Sequence, residues 1–329
     1  MTPLRILVIG SNGLLGQKVV ELFVRGSISS VTCASLERDA VRTLRSLQYL
    51  QVDITSKKDV RRIVSVCEPE VIVNCAAMTN VDACEREKEK AWKINVVGVE
   101  NMTDAAKKYD SRVVHVSSDY VYDGTRGPYS EVDRPEPLSY YGKTKLASEN
   151  VLLASGLPHF IARTMVLYGY AEGVRPNFAL WLLDNLEKGK PLRIVEDQFG
   201  NPTFVDDLAY GIMKGVELEK TGMYHIAGRD IVSRYAFAVT LARVFGLNED
   251  LLTPVKTAEM EQPAPRPLRS GLITLKAEVE LGIKPSTVEE GLTMLRGQLA
   301  RSGRRIGDRG AAPGQKTGRS FPGNGPGRR

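Results

Sequence analysis

Histidine, cysteine and long apolar runs are all scarce in this chain of 329 residues, and each scarcity removes a class of function. The three histidines, His115, His159 and His225, show no metal-ligand spacing. The four cysteines, Cys33, Cys67, Cys75 and Cys84, form no C-x-x-C pair and have no histidine beside them to complete a zinc site. No metal is therefore expected. Cys33 and Cys75 fall in apolar runs and read as buried small hydrophobes. No apolar run approaches the roughly 20 residues that span a bilayer. No cationic leader with a long apolar region and a cleavage site precedes the first strand-like segment. The expectation is a cytoplasmic protein with no membrane role.

The main body also lacks a strong charge of either sign. The formal net charge is +6, but residues 301–329 hold seven Arg, one Lys and one Asp, a local charge of +7. Residues 1–300 are left at −1, so the basic character belongs to the tail and no nucleic-acid footprint is expected on a folded face. The last 27 residues contain eight Gly and three Pro with few large apolar side chains. Such a composition cannot offset chain entropy by burial, and a disordered Gly/Arg-rich tail is expected over 302–329.

What the chain does have is alternation. Strand-like runs at Leu4–Ile9, Ser30–Ala34, Tyr49–Val52, Val71–Asn74, Arg112–Ser117 and Phe160–Arg163 alternate with helical stretches. Those stretches are Leu14–Arg25, Arg38–Ser46, Lys57–Glu68, Glu87–Tyr109 and Gly142–Ser155. Several strand runs are continuously apolar, as strands covered on both faces are. The order predicts an α/β fold with a doubly wound parallel sheet. The second half reads as helices (Asn177–Lys188, Val205–Glu219, Ser233–Phe245, Thr287–Arg301) with short strands between, and a proline-rich connector at 263–267. A dinucleotide-binding domain over 1–165 and a smaller C-terminal substrate lobe over 166–301 are expected, with some segments returning to the main sheet.

The first chemical signal is Gly10-Ser-Asn-Gly13-Leu-Leu-Gly16, which follows a strand and opens a helix. Gly10 permits a tight turn, Gly13 lets backbone approach a phosphate, and Gly16 lets the helix pack closely on the strand. The helix N-terminus then offers free N–H groups to a pyrophosphate. Gly10, Ser11, Asn12, Gly13, Leu14, Leu15 and Gly16 are accordingly expected at a nicotinamide dinucleotide. The second strand ends without the acid that grips a ribose 2′-hydroxyl. Ser35 and Arg38 there suit a 2′-phosphate, while Glu37 argues the other way. NADP(H) is favoured and NAD(H) stays open. Asp53, with Ile54 beside it, is expected near the adenine; its other reading is the cap of the helix near Lys57.

The second signal is Tyr141-Gly-Lys-Thr-Lys145, whose four-residue spacing puts both side chains on one helix face. Ser118 lies at the end of a strand, where doubly wound sheets bind ligands. Hydride addition to a ketone leaves an alkoxide that needs a proton. A free tyrosine titrates near 10, and an ammonium from Lys145 is expected to lower that value. Ser118 can hydrogen-bond and align the carbonyl oxygen. Ser118, Tyr141 and Lys145 are the expected catalytic set.

With these stretches the chain resembles an extended short-chain dehydrogenase/reductase of Rossmann type. Within that superfamily it is similar to the dTDP-4-dehydrorhamnose reductase group, which includes the regulatory β subunit of methionine adenosyltransferase. The likeness is carried by Ile9–Gly16, Val73–Thr79, Asn95–Gly98, Ser117–Gly124, Tyr141–Lys145, Arg163–Gly169, Gln198–Thr203 and Arg266-Pro267. It implies that Ala76, Ala77, Met78 and Thr79 line the cofactor, and that Asn95 holds the neighbouring helix. It implies that Lys145 binds the nicotinamide ribose and Tyr141 is the acid. Ser118, Asp119, Tyr120, Val166, Asn177 and Arg266 would face the substrate. Val166 stands where the rhamnose-forming enzymes carry Trp, which leaves the sugar open.

The implied activity is reduction of the 4-keto group of a nucleotide-linked deoxysugar, foremost dTDP-4-dehydrorhamnose. Two other readings are an NADP-binding regulatory subunit of the methionine adenosyltransferase type and a nucleotide-sugar epimerase or dehydratase. The expected partner is the nucleotide-sugar; a homodimer is left open.

Overall fold

The computed structural model describes residues 3–26, 29–304 and 306. The first half runs β1 (Leu4–Ile9), α1 (Leu14–Arg25), β2 (Ser29–Ser35), β3 (Gln48–Gln51), α2 (Lys57–Cys67) and β4 (Val71–Asn74). It continues through α3 (Val81–Arg86), α4 (Lys88–Trp92), α5 (Gly98–Ala106), β5 (Arg112–Ser118), α6 (Tyr140–Ser155) and β6 (His159–Thr164). Then come β7 (Leu167–Tyr168), α7 (Phe178–Leu186), β8 (Leu192–Val195), β9 (Phe199–Gly200), β10 (Thr203–Phe204) and α8 (Val205–Glu217). The last elements are β11 (Gly222–His225), β12 (Val232–Ser233), α9 (Arg234–Phe245), β13 (Leu252–Val255), α10 (Leu275–Leu281) and α11 (Val288–Arg301).

Seven of these strands form a parallel sheet in the order β3-β2-β1-β4-β5-β6-β11. The chain starts at β1, moves out to β3, then crosses back to β4, so the winding direction reverses between β1 and β4. Ile9 is level with Ala34 on one side and with Asn74 on the other, so three strands end together at that reversal. A crevice opens there, as the connections leave in opposite directions. One face of the sheet packs Val19, Val20 and Phe23 of α1 with Leu208, Ile212 and Val216 of α8. The other packs Val60, Ile63 and Val64 of α2 with Val99 and Met102 of α5. Double cover explains why all four residues of β4 are buried and why its sequence does not alternate. A second hydrophobic core forms among α7, α9 and α11, with Leu183, Leu241 and Leu292 wholly buried.

Several expectations are corrected. Arg38–Ser46 is not an α-helix; only the single turn Arg42–Leu44 forms. The Asn12 side chain competes for its backbone, since Nδ2 donates to the Asp39 carbonyl (3.0 Å) and Oδ1 accepts from Val41 N–H (3.2 Å). The expected helix over Glu87–Tyr109 is broken into α4, a π-turn at Lys93–Val97 and α5. The helices α3 and α10 were not foreseen. Cys33 is buried, but Cys75 is only partly so and faces the crevice. The expected tail begins to dock before it leaves the described residues. Arg304 pairs with Asp184 (2.6 Å) and Glu187 (3.1 Å), and Ile306 packs on the second core. For 305 and 307–329 the tail expectation lies outside the described residues.

Candidate active site

The crevice at the strand reversal is a cleft of about 1030 Å³. Gly10 and Gly13 form its floor. Gly10 sits at φ +81°, and a Cβ there would lie 2.7 Å from the backbone nitrogen of Ala76. A Cβ on Gly16 would lie 2.7 Å from Ser11 Cα, inside the turn it packs on. Both positions therefore need glycine. The N-cap of the 12-residue α1 is Gly13, with no side-chain cap and no acid in the first turn. Its first N–H groups are free to meet an anion, and this bare, glycine-walled helix start fits a dinucleotide pyrophosphate.

The loop side chains do other work. Ser11 Oγ is fully buried against the Ala34 carbonyl, Leu15 is in the core and Leu14 packs on it. Asn12 is spent on the 37–41 segment, where its amide also meets Glu37. Ser35 and Glu37 line the cleft, while Arg38 is exposed and outside its wall. Ser35 Oγ accepts from Asn12 N–H at 3.0 Å. Asp53 and Ile54 also line the cleft. Asp53 does not cap α2; Ser56 does, accepting from Asp59 N–H. Asp53 instead accepts from the N–H and hydroxyl of Thr55.

Ala76 and Ala77 form the opposite wall. Met78 is held from both sides by Asn95, whose Oδ1 accepts from Met78 N–H (2.8 Å) and whose Nδ2 donates to its carbonyl (3.1 Å). The same Nδ2 donates to Thr144 Oγ1 (2.9 Å), between Tyr141 and Lys145. The π-turn widens the helix where Asn95 reaches in, as such turns often do at functional sites. Asn95 is a brace that carries the cleft wall to α6, and Thr79 is exposed.

Ser118, Tyr141 and Lys145 are all buried; Tyr141 packs beside Met78 and reaches the Ser118 hydroxyl, while Lys145 points to His115. Ser139 caps α6 by accepting from Gly142 N–H, which sets the start of the helix that carries Tyr141. Burial pushes the Tyr141 phenol above its ordinary value, against the pull of the Ser118 hydroxyl and with the Asp119 charge adding to the rise. This is opposite to the expected lowering. Lys145 Nζ lies 3.2 Å from His115 Nε2, and burial brings Lys145 itself down to about 8, with Glu149 opposing.

Ser118 Oγ donates to Asp119 Oδ1 (3.0 Å) and accepts from Tyr120 N–H (3.2 Å). Asp119 Oδ2 accepts from Ser270 Oγ (2.6 Å). Burial pushes the Asp119 carboxyl up to about 6 despite the two hydroxyls. A small cavity here is walled by Asp119, Tyr120, Met165 and Val166 and closed by Arg234 and Ser270. Beyond it a wider cavity of about 380 Å³ is bordered by Tyr120, Phe178, Arg193, Gln198, Arg234 and Arg266. Three arginines at one cavity suit an anionic ligand. Asn177 is outside both cavities, because its amide caps α7 at Leu180 N–H and donates to the Gly169 carbonyl.

Sequence reasoning missed Ser270, Arg234, Phe178 and Asp82. Gln198 lay inside a quoted motif, but Arg234 follows a helix cap with nothing to mark it. It stacks 5.1 Å from the Phe178 ring, a contact only the fold creates.

Comparison with known proteins adds the rest. The family described as RmlD substrate binding domain matches residues 4–300. A dTDP-4-dehydrorhamnose reductase of Aggregatibacter actinomycetemcomitans is 33% identical over 304 residues, covering 89% of this chain and 98% of that protein. The methionine adenosyltransferase 2 subunit beta of Rattus norvegicus is 31% identical, covering 86% and 84%. The solved dTDP-4-dehydrorhamnose reductase of Bacillus anthracis, in complex with NADP, superposes with a TM-score of 0.80 at 28% identity, covering 90% and 99%.

Proposed function

The chain belongs to the RmlD substrate binding domain family, and from that premise we propose that it is an NADPH-dependent reductase of the 4-keto group of a nucleotide-linked deoxysugar. dTDP-4-dehydrorhamnose is the foremost candidate, by the names of its reductase relatives. The observation that carries the reading is the contact of the buried Tyr141 phenol with the Ser118 hydroxyl, in a fold that also holds a glycine-floored cleft and an arginine-bordered cavity.

The bound dinucleotide would supply the hydride. Gly10, Gly13 and the start of α1 would hold its pyrophosphate, with Asp53 and Ile54 at the adenine end and Ala76 to Met78 along the wall. Ser118 Oγ would turn from Asp119 to the ketone oxygen and align it. Tyr141 would give its proton to the oxygen as charge builds there. Its raised value keeps the phenol protonated at neutral pH, the form that reduction requires. Arg234 and Arg266 would face the diphosphate of the sugar nucleotide. Val166, in place of a large flat ring, would leave more room beside the sugar.

NADPH is favoured by the absence of an acid at the end of β2 and by the NADP complex of the Bacillus anthracis relative; Glu37 in the cleft wall weighs toward NADH. The test is nicotinamide absorbance with dTDP-4-dehydrorhamnose and each cofactor. NADPH oxidation is expected, falling by about 10² or more in Tyr141→Phe. Undiminished turnover in that variant overturns the mechanism, and faster NADH oxidation overturns the preference. The 31% identity to the regulatory β subunit favours a second reading. Stable co-purification with a methionine adenosyltransferase, and no NADPH oxidation by any keto-sugar, would select it.

A further inference from the structure

Behind Lys145 lies a buried polar cluster that the reaction described above does not use. His115, on β5, is 1% exposed, and Ser148, on α6, is fully buried. Three hydrogen bonds converge on the His115 ring. Nδ1 lies 3.1 Å from Asn74 Nδ2, and Nε2 lies 3.0 Å from Ser148 Oγ and 3.2 Å from Lys145 Nζ.

The direction of each bond follows from groups that have no choice. A backbone N–H can only donate, and Ala76 N–H points at Asn74 Oδ1 (3.0 Å). That fixes the Asn74 amide, so its NH₂ faces His115 and Nδ1 must accept. A carbonyl can only accept, and Ser148 Oγ lies 2.7 Å from the Lys145 carbonyl. The serine proton goes there, so Ser148 offers His115 a lone pair. Burial alone holds His115 well below its ordinary value, which keeps the ring neutral. Two independent anchors thus give one tautomer, with the proton on Nε2. That N–H goes to Ser148 Oγ, and it leaves Nε2 no lone pair for Lys145 Nζ, 3.2 Å away.

An ammonium has only donors, so it gains nothing from a ring nitrogen with no lone pair. We propose that Asn74 and His115 are positioning residues: the locked imidazole offers the Lys145 ammonium no acceptor, which makes Lys145 a proton-exchanging group rather than a fixed cation. The inference rests on the role proposed for Lys145 beside Tyr141. The charged groups around Lys145 do not restore a strong cation site. Glu149, on the same helix, spends both carboxylate oxygens on Arg163 of β6, at 2.9 and 2.6 Å. Tyr141, one turn earlier, is protonated. Burial acts in the same direction and brings Lys145 down to about 8, with Glu149 opposing.

The test uses the full chain without added cofactor, labelled with ¹⁵N-histidine and ¹³C-lysine. The chain has only three histidines, so His115 is assigned by the signal lost in His115→Gln. The ¹⁵N shifts of wild-type His115 should show a protonated Nε2 and a bare Nδ1 from pH 6 to 9. The Lys145 ¹³Cε signal should titrate near 8. In Asn74→Asp the carboxylate accepts from both Ala76 N–H and Nδ1–H, so the tautomer should flip. The Lys145 titration should then rise by at least about one unit, a tenfold change in its proton affinity, and the matching limb of kcat against pH should move with it. A wild-type His115 protonated on Nδ1, or a Lys145 titrating in the ordinary lysine range, overturns the inference without any variant. So does a flipped tautomer that leaves the Lys145 titration unmoved. A chain that reduces no keto-sugar but shows the locked ring and the low titration loses the proposed function and keeps this inference; the reverse pair of results does the opposite.

Discussion

Arg266 and Asp82 stand 184 positions apart in sequence and 2.8 Å apart in the fold, guanidinium NH₂ to carboxylate Oδ2. The pair ties the proline-rich connector to α3, and Ala264 N–H adds a second bond to Asp82 at 3.1 Å. It also aims Arg266 at the wider cavity. Arg266→Ala should raise KM for the nucleotide-sugar by roughly ten- to a hundredfold, the value of a charge-assisted contact, with a smaller loss in kcat. Asp82→Asn keeps one acceptor and should raise KM less. Asp82 is about a third exposed, so stability should change by less than about 1 kcal/mol in either variant. Steady-state kinetics and thermal melts check all three; equal KM in wild type and Arg266→Ala rejects the substrate contact.

Asp119 gives a pH dependence of definite sign. Its carboxyl is held near 6 in the fold and near 3.9 in the unfolded chain. Between those values the folded state binds the extra proton, so stability from this group falls as pH rises from 4 to 6 and is gone above 6. The two-unit difference is worth on the order of 3 kcal/mol. Buried His115 and His225 act in the opposite sense, because both are held below their ordinary value. The difference between wild type and Asp119→Asn isolates the carboxyl. The variant should gain in melting temperature relative to wild type on going from pH 4.5 to 7.5. A constant gap between the two curves would show that Asp119 keeps an ordinary value.

Val166 sits at φ +44°, a left-handed conformation that a β-branched residue rarely adopts. Thr203 N–H bonds to its carbonyl (3.2 Å) and holds the turn between β6 and β7 in place. Strain of this kind costs roughly 1–2 kcal/mol. Val166→Asn, which tolerates this region, should stabilise the protein by about 1 kcal/mol, a rise of roughly 2–4 °C in Tm. Because Val166 borders the small cavity, KM for the sugar nucleotide should change in the same variant. A lower Tm would mean that its side-chain packing outweighs the strain.

Asn95→Ala would leave Met78 N–H, the Met78 carbonyl and Thr144 Oγ1 without their shared partner. A buried group left unpaired costs about 1–3 kcal/mol. A fall in stability of that order or more is expected, together with faster amide exchange across 93–97 and a lower kcat. Exchange rates equal to wild type in that segment would show that the π-turn does not depend on Asn95.

The sequence by itself determined the alternation of strands and helices, the glycine loop and the Tyr141/Lys145 face. These are local facts, because periodicity, glycine spacing and a four-residue step act within one element. The apolar runs also announced a sheet covered on both sides, and the structure has one. Tertiary structure decided what depends on partners far away in the chain. Asn12 dissolves the helix expected at 38–46, because its amide takes that segment's backbone groups, and the other expected helix carries a π-turn around Asn95. Asn177 reads as a ligand residue in sequence and serves as a cap in space. The Tyr141 phenol moves up rather than down, because burial is set by the whole fold while Lys145 Nζ turns toward His115. Ser270 and Arg234 reach the site through contacts between residues more than a hundred positions apart, and no spacing rule could have placed them there.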